Sequence, residues 1–168
     1  RVHESGLEQR QPLSTLLQRP LQQRLQALSH GSHQPAPGSP WLAMAQAAQR
    51  YPENIAVRSA DPHCAHGQRL TYRELDEKVS RVAQHLHAMG LRAGTRIAVY
   101  LERSIDMVLA ILAVARIGAV LVPLDTDNPL EHTHFVLEDS AASVVLTDSL
   151  LGDNLTEFYG VWLDIATL

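Results

Sequence analysis

The chain has 168 residues, 45% of them hydrophobic, and a formal net charge of -4. That length and apolar content provide for one substantial core plus an extension, and the acidic balance argues against a nucleic-acid binder, which presents a basic face. A single cysteine, Cys64, excludes an internal disulfide and leaves stability to packing, the usual case for a cytoplasmic protein.

The first residue is Arg1, not Met, which reads as a processed chain or an excised piece, and no basic-then-apolar leader follows. Leu13, Leu17, Leu21, Leu25 and Leu28 fall at helical spacing and form an apolar docking stripe, which Pro20 interrupts. Residues 30–40 (HGSHQPAPGSP) read as an extended linker, because Pro and Gly remove helical options and leave little to bury. Residues 1–40 are thus a helical extension with a Pro/Gly linker.

From Trp41 onward helices alternate with strands. Residues 41–50 are alanine-rich and helical, and Pro52 limits the helix. Strands at 55–58 and 69–71 flank a polar loop at 61–68. Thr71 and Glu74 form a capping box. Tyr72, Leu75, Val79, Val82, Leu86 and Met89 then mark one helical face, and Gly90 supplies a left-handed stop. A strand at 96–101 leads into a helix over 104–117 that is apolar on nearly all sides and therefore sandwiched between layers. Gly118 ends it before a buried strand at 120–124. Asn128 reads as the cap of a further helix, with Pro129 at its first position and Glu131 completing the box. Strands at 144–147 and 161–164 follow. This order predicts an α/β fold, a mainly parallel sheet with helices on both faces and right-handed crossovers. Residues 105–122 are long enough to span a membrane, but Asp106, Arg116 and Gly118 argue for a buried helix and strand instead.

Candidate sites are few. Asp61, His63, Cys64 and His66 have metal-ligand chemistry, but a zinc site draws on two separated ligand pairs and no second cysteine exists, so a polar loop is the better reading. Glu131, His132 and His134 lack the HExxH arrangement and read as helix surface. Asp125 and Asp127 lack the glycine and closing Glu of a calcium loop, so Asp127 and Asn128 read as turn and cap. Ser104 has no base partner and reads as a helix cap. No G-x-x-x-x-G-K-S/T or G-x-G-x-x-G is present.

Two segments carry a family resemblance. Leu70, Thr71, Tyr72, Glu74 and Leu75 fill every fixed position of Leu-Thr/Ser-Tyr-x-Glu-Leu, the first core motif of amino-acid-activating adenylation domains. Gly118, Val122, Pro123, Leu124 and Asp125 agree with the second, Leu-Lys-Ala-Gly-x-Ala-Tyr-Val-Pro-Leu/Ile-Asp, and Arg116 keeps its positive charge. Ala115, Ile117, Val120 and Leu121 depart from it, Leu121 standing for the usual tyrosine, and Asn128-Pro129 replaces the usual Tyr-Pro. Residues 135–147 (FVLEDSAASVVLT) also look like the family's helix-turn-strand. The chain from residue 41 onward thus resembles the N-terminal part of an adenylate-forming large subdomain from a nonribosomal peptide synthetase. Residues 1–40 resemble, in character alone, the linker from an upstream condensation domain.

The resemblance implies a parent domain that uses ATP and Mg2+ to join a carboxylate to AMP and passes the acyl group to phosphopantetheine on a downstream carrier domain. Such chemistry needs backbone amides around phosphates, a metal-holding acid and a lysine. The resemblance places these beyond Leu168, so it assigns no catalytic, cofactor-binding or metal residue within residues 1–168. A scaffold inactive alone is the expectation, completed by the remainder of the domain, with no nucleic-acid or membrane partner. An acyl-CoA synthetase-type ligase and a degenerate interaction module without activity remain open as alternatives.

Overall fold

The computed structural model describes residues 38–59, 69–156 and 158–168. The leucine stripe, the linker up to Pro37 and the DPHCAH loop lie outside the described residues, which belong to one compact unit, Pro37–Leu168. Helix α1 (Pro40–Arg50) opens it. Pro40, read from the sequence as the last linker residue, is instead the first helical residue, where its missing N–H leaves no bond unmade. Strands β1 (Ile55–Arg58) and β2 (Arg69–Thr71) form a small antiparallel ribbon.

Thr71 then starts α2 (Tyr72–Ala88) through the complete capping box. Its hydroxyl accepts from the Glu74 amide at 3.2 Å, and the Glu74 carboxylate accepts from the Thr71 amide at 2.8 Å. The helix ends as expected on Gly90, at φ +87°. The Leu91 amide reaches back to the Leu86 carbonyl and the Gly90 amide to that of His87, which satisfies two otherwise free acceptors. Leu75, Val79, Val82 and Leu86 are buried, but Met89 stays 41% exposed. It sits at the C-cap, where the chain already turns away from the packed face.

The main sheet is four parallel strands in the order β4-β3-β5-β6. They are β3 (Arg96–Tyr100), β4 (Val120–Leu124), β5 (Val144–Thr147) and β6 (Val161–Asp164). Helix α3 (Ile105–Arg116) connects β3 to β4, and α4 (Leu130–Ser140) connects β4 to β5. A short α5 (Ser149–Gly152) and a 3-10 turn (Asp153–Leu155) lead toward β6.

Side chains alternate between two cores. Ile97, Val99, Val144 and Leu146 pack with α1, α2 and α3, whereas Ala98, Tyr100 and Val145 pack with α4 and the α5 region. Helices on both faces follow from one hand of crossover: the connection running one way along the sheet carries α3 on one face, and those running back carry α4 and α5 on the other. All of β5, and β3 after Arg96, are buried, as strands covered on both faces must be. The sandwiched character expected of α3 also holds, since Asp106 alone among its residues is exposed.

Two further expectations are corrected. Residues 120–124 are not a buried strand: among the described residues β4 is an edge strand, bonded to β3 alone, with Val120 48% exposed and Pro123 exposed. An edge tolerates proline because its free side needs no donor. The cap of α4 is also not Asn128. Pro129 holds the cap position at φ -55° and ψ 143°, no side chain caps the helix, and its first turn is closed by the His132 and Thr133 amides on the Pro129 carbonyl. The extended ψ of Pro129 moves the helix start one residue on, so Asn128 lies in the preceding turn and Glu131 has no box to complete.

Candidate functional site

In open parallel sheets, ligands bind beyond the carboxyl ends of the strands. Here those ends are occupied by short loops in which Ser104, Asp125 and Asp148 serve the backbone. The Ser104 hydroxyl accepts from the Met107 amide at 3.2 Å and so caps α3, the role expected of it. Asp125 accepts from the Asp127 amide at 3.1 Å, closing a turn, and Asp148 accepts from the Leu151 amide at 2.9 Å, capping α5. Between the loops after β3 and β4 lies an open groove of about 720 Å³, lined by Leu101, Glu102, Arg103, Met107 and residues 123–127.

Behind these loops Tyr100 is buried at the end of β3. Burial pushes its phenol above the ordinary value; a hydrogen bond with the Asn154 side chain works against this, and the Glu102 carboxylate adds to it. The phenol held inside the fold therefore stays protonated near neutral pH. Thr133 and Thr147 bury hydroxyl oxygens with no hydrogen-bond partner. Glu74 is perturbed the other way. The Thr71 backbone N–H first, then the Thr71 hydroxyl, hold its carboxyl below the ordinary value, with Lys78 and Arg69 adding to the effect.

The remaining sequence candidates do not converge. Glu131 and His132 are exposed and His134 half-buried on α4, where the His132 ring stacks near Phe135 with centroids 6.4 Å apart. Among the described residues no group of three or more His, Cys, Asp and Glu side chains could hold a metal ion. What the sequence did not reveal is a cluster around Arg116. Its guanidinium lies over the Trp41 ring, 4.1 Å from the centroid, donates to the Ser80 hydroxyl, and stands 3.9 Å from the Asp76 carboxylate. No spacing rule links Trp41 to Arg116, because the contact depends on how α1 docks.

A parallel sheet covered on both faces, with Leu70–Leu75 opening α2 and Gly118–Asp125 forming the turn into the edge strand, defines the N-terminal α/β part of an adenylate-forming enzyme. The chain belongs to the AMP-binding enzyme family, whose model matches residues 44–160. It is 38% identical over 109 residues to tyrocidine synthase 2 of Brevibacillus parabrevis, a match covering 65% of this chain and 3% of that protein. It is 40% identical over 104 residues to the phosphinothricin tripeptide synthetase PhsC of Streptomyces viridochromogenes, covering 62% of this chain and 9% of the relative.

Among solved structures, the N-terminal subdomain of Klebsiella oxytoca NpsA bound to 3-hydroxyanthranilyl-AMSN superposes with a TM-score of 0.67 at 26% identity, over 77% of this chain and 31% of that one. The o-succinylbenzoate CoA synthetase MenE of Bacillus subtilis, solved with ATP and magnesium, gives 0.65 at 31% identity, over 77% of this chain and 33% of the other. The chain thus spans a small part of the curated relatives and about a third of these structures. No helix among the described residues is long and apolar enough to cross a membrane.

Proposed function

We propose that residues 41–168 are the N-terminal part of an adenylation domain that activates an amino acid for nonribosomal peptide synthesis in the cytoplasm. In that reaction the substrate carboxylate bonds to the α-phosphorus of ATP, the bond to the departing pyrophosphate breaks, and the aminoacyl group then moves from AMP to a phosphopantetheine thiol. The observation that carries the reading is the segment Gly118–Asp125. A left-handed glycine at φ +70° turns the chain from α3 into an edge strand that ends in Pro-Leu-Asp, and the relatives that match this chain are peptide synthetases and synthases, at 38% and 40% identity for the two described above.

In this reading the chain is scaffold. At its carboxyl edge Ser104, Asp125 and Asp148 serve caps and a turn, and the groups that handle ATP and Mg2+ belong to the rest of the domain. Residues 1–40 join it to an upstream condensation domain, and a carrier domain follows. The 168-residue chain alone is expected to catalyse no amino-acid-dependent exchange between pyrophosphate and ATP. The 31% identity to the CoA synthetase favours a second reading, in which the thiol acceptor is coenzyme A.

The coding sequence past Leu168 tests both. A Ser/Thr/Gly-rich loop with Lys followed by a carrier domain, and amino-acid-dependent exchange by the full product, are expected. An early stop overturns the first reading, and a full product that acylates free coenzyme A without any carrier domain replaces it with the second. Exchange by the 168-residue chain itself overturns the scaffold role.

A further inference from the structure

We propose that α1 is a strap with a hinge at its C-terminal end and a latch at its N-terminal end, the latch being Trp41 stacked on Arg116. The hinge end is tied down by backbone. The Tyr72 amide donates to the Asn54 carbonyl and the Arg73 amide to that of Pro52, both at 3.0 Å, and Arg73 pairs with Glu53. These bonds fix the segment after α1 to the first turn of α2, whether or not α1 is docked.

At the other end no backbone bond to α2 or α3 is found among the described residues, and Trp41 is only partly buried against the core. Ser39 makes no side-chain cap, and Met44, 8% exposed, is the one buried residue of the helix. The Trp41 indole over the Arg116 guanidinium, 4.1 Å from the ring centroid, is the specific contact there. A planar guanidinium suits it, since it stacks flat on an aromatic face as an ammonium does not.

Arg116 is prepared to receive the ring and to let it go. The Ser80 hydroxyl accepts from it, and the Asp76 carboxylate stands 3.9 Å away, so both α2 partners remain when α1 lifts. Arg116 also lines cavities of about 300 and 470 Å³, which give the charge access to water. Opening therefore strands no buried charge, the penalty that would otherwise weld such a contact shut. The latch sits at the end of α1 that continues into the preceding chain, so a pull on that chain acts on the latch before it acts on the sheet.

Native-state hydrogen exchange on the full 168-residue chain, read by mass spectrometry, tests this. In Trp41→Ala the α1 amides are expected to exchange roughly threefold to tenfold faster, the size of one cation–π contact, with β3 and β5 unchanged. Trp41→Phe should recover part of the protection. Arg116→Gln should match Trp41→Ala, and the double variant should add nothing further. If Arg116→Gln does not fold, the Trp41→Ala and Trp41→Phe pair carries the test alone. Leu42→Ala, which trims an exposed neighbour on the same helix, should leave α1 exchange near that of the parent. Acceleration of α1 and β3 together, no change in Trp41→Ala, or an equal effect of Leu42→Ala would each overturn the latch.

Discussion

Gly118 is where backbone conformation and packing can be separated by measurement. Its φ is +70°, its amide donates to the Ala115 carbonyl at 3.2 Å, and its carbonyl accepts from the Gly94 amide at 3.0 Å. A Cβ added there would lie 3.2 Å from the Ala93 Cβ and 3.6 Å from the Ala93 Cα. Two costs are thus superposed in Gly118→Ala: about 1–2 kcal/mol for holding an L-residue left-handed, and a smaller term for pressing on Ala93. Gly118→Val adds a branched side chain at the same crowded point, and about 2–4 kcal/mol in total is expected. Gly90, at φ +87°, has nothing within 4 Å of its virtual Cβ, so Gly90→Ala should show the backbone cost alone.

Urea denaturation followed by far-UV circular dichroism gives each midpoint. The discriminating variant is Ala93→Gly, made alone and with Gly118→Ala. Removing the methyl that the new Cβ meets should make the double variant less destabilised than the sum of the singles, by about 0.5–1.5 kcal/mol. Strict additivity would show that the Ala93 contact is not crowded. An unchanged midpoint in Gly118→Val would refute the left-handed turn itself.

Three further outcomes are expected. In Gly152→Ala the new Cβ would lie 2.8 Å from the Trp162 ring, so about 1–3 kcal/mol of stability should be lost, with a shift in Trp162 emission; in a Trp162→Leu background most of that loss should vanish. The folded Glu74 carboxyl is held below its ordinary value, so its contribution is present above the unfolded value and fades as pH falls through the folded one. The stability gap between the parent chain and Glu74→Gln should therefore shrink between about pH 5 and pH 3, and a constant gap would argue against the Thr71 hydrogen bonds. Finally, two sheet edges and the exposed Val161, Trp162 and Tyr159 should make the 168-residue chain self-associate. Light scattering that reports a monomer across a concentration series, with no binding of a hydrophobic dye, would refute it.

The elements are legible wherever local chemistry decides them. Thr71 and Glu74 announce their box, Gly90 and Gly118 their left-handed turns, and the apolar surface of α3 its place between layers, because each signal is complete within one helix or turn. The differences at β4 and α4 have another origin. An apolar run reads the same in a central strand and at an edge, and the lateral order of strands is decided by crossovers that span the chain. Asn128-Pro129 satisfies a capping rule, but Pro129 takes an extended ψ of 143° and itself holds the cap position, which the residue types alone do not decide. At the carboxyl edge, Ser104 is legible as a cap because it directly precedes an apolar helical run. The Arg116 cluster stays hidden because three separate helices supply it.

The division of the sheet into two cores has a consequence for how the sequence can drift. Ile97 and Ala98 are neighbours along β3, yet one faces the α1–α3 layer and the other the α4 side. Substitutions on one face should combine additively with those on the other and couple strongly within their own. The two halves of the interior can therefore be revised almost independently, each constrained mainly by its own volume. The backbone of β3 is their common boundary, and there a single insertion would exchange the faces of every residue after it.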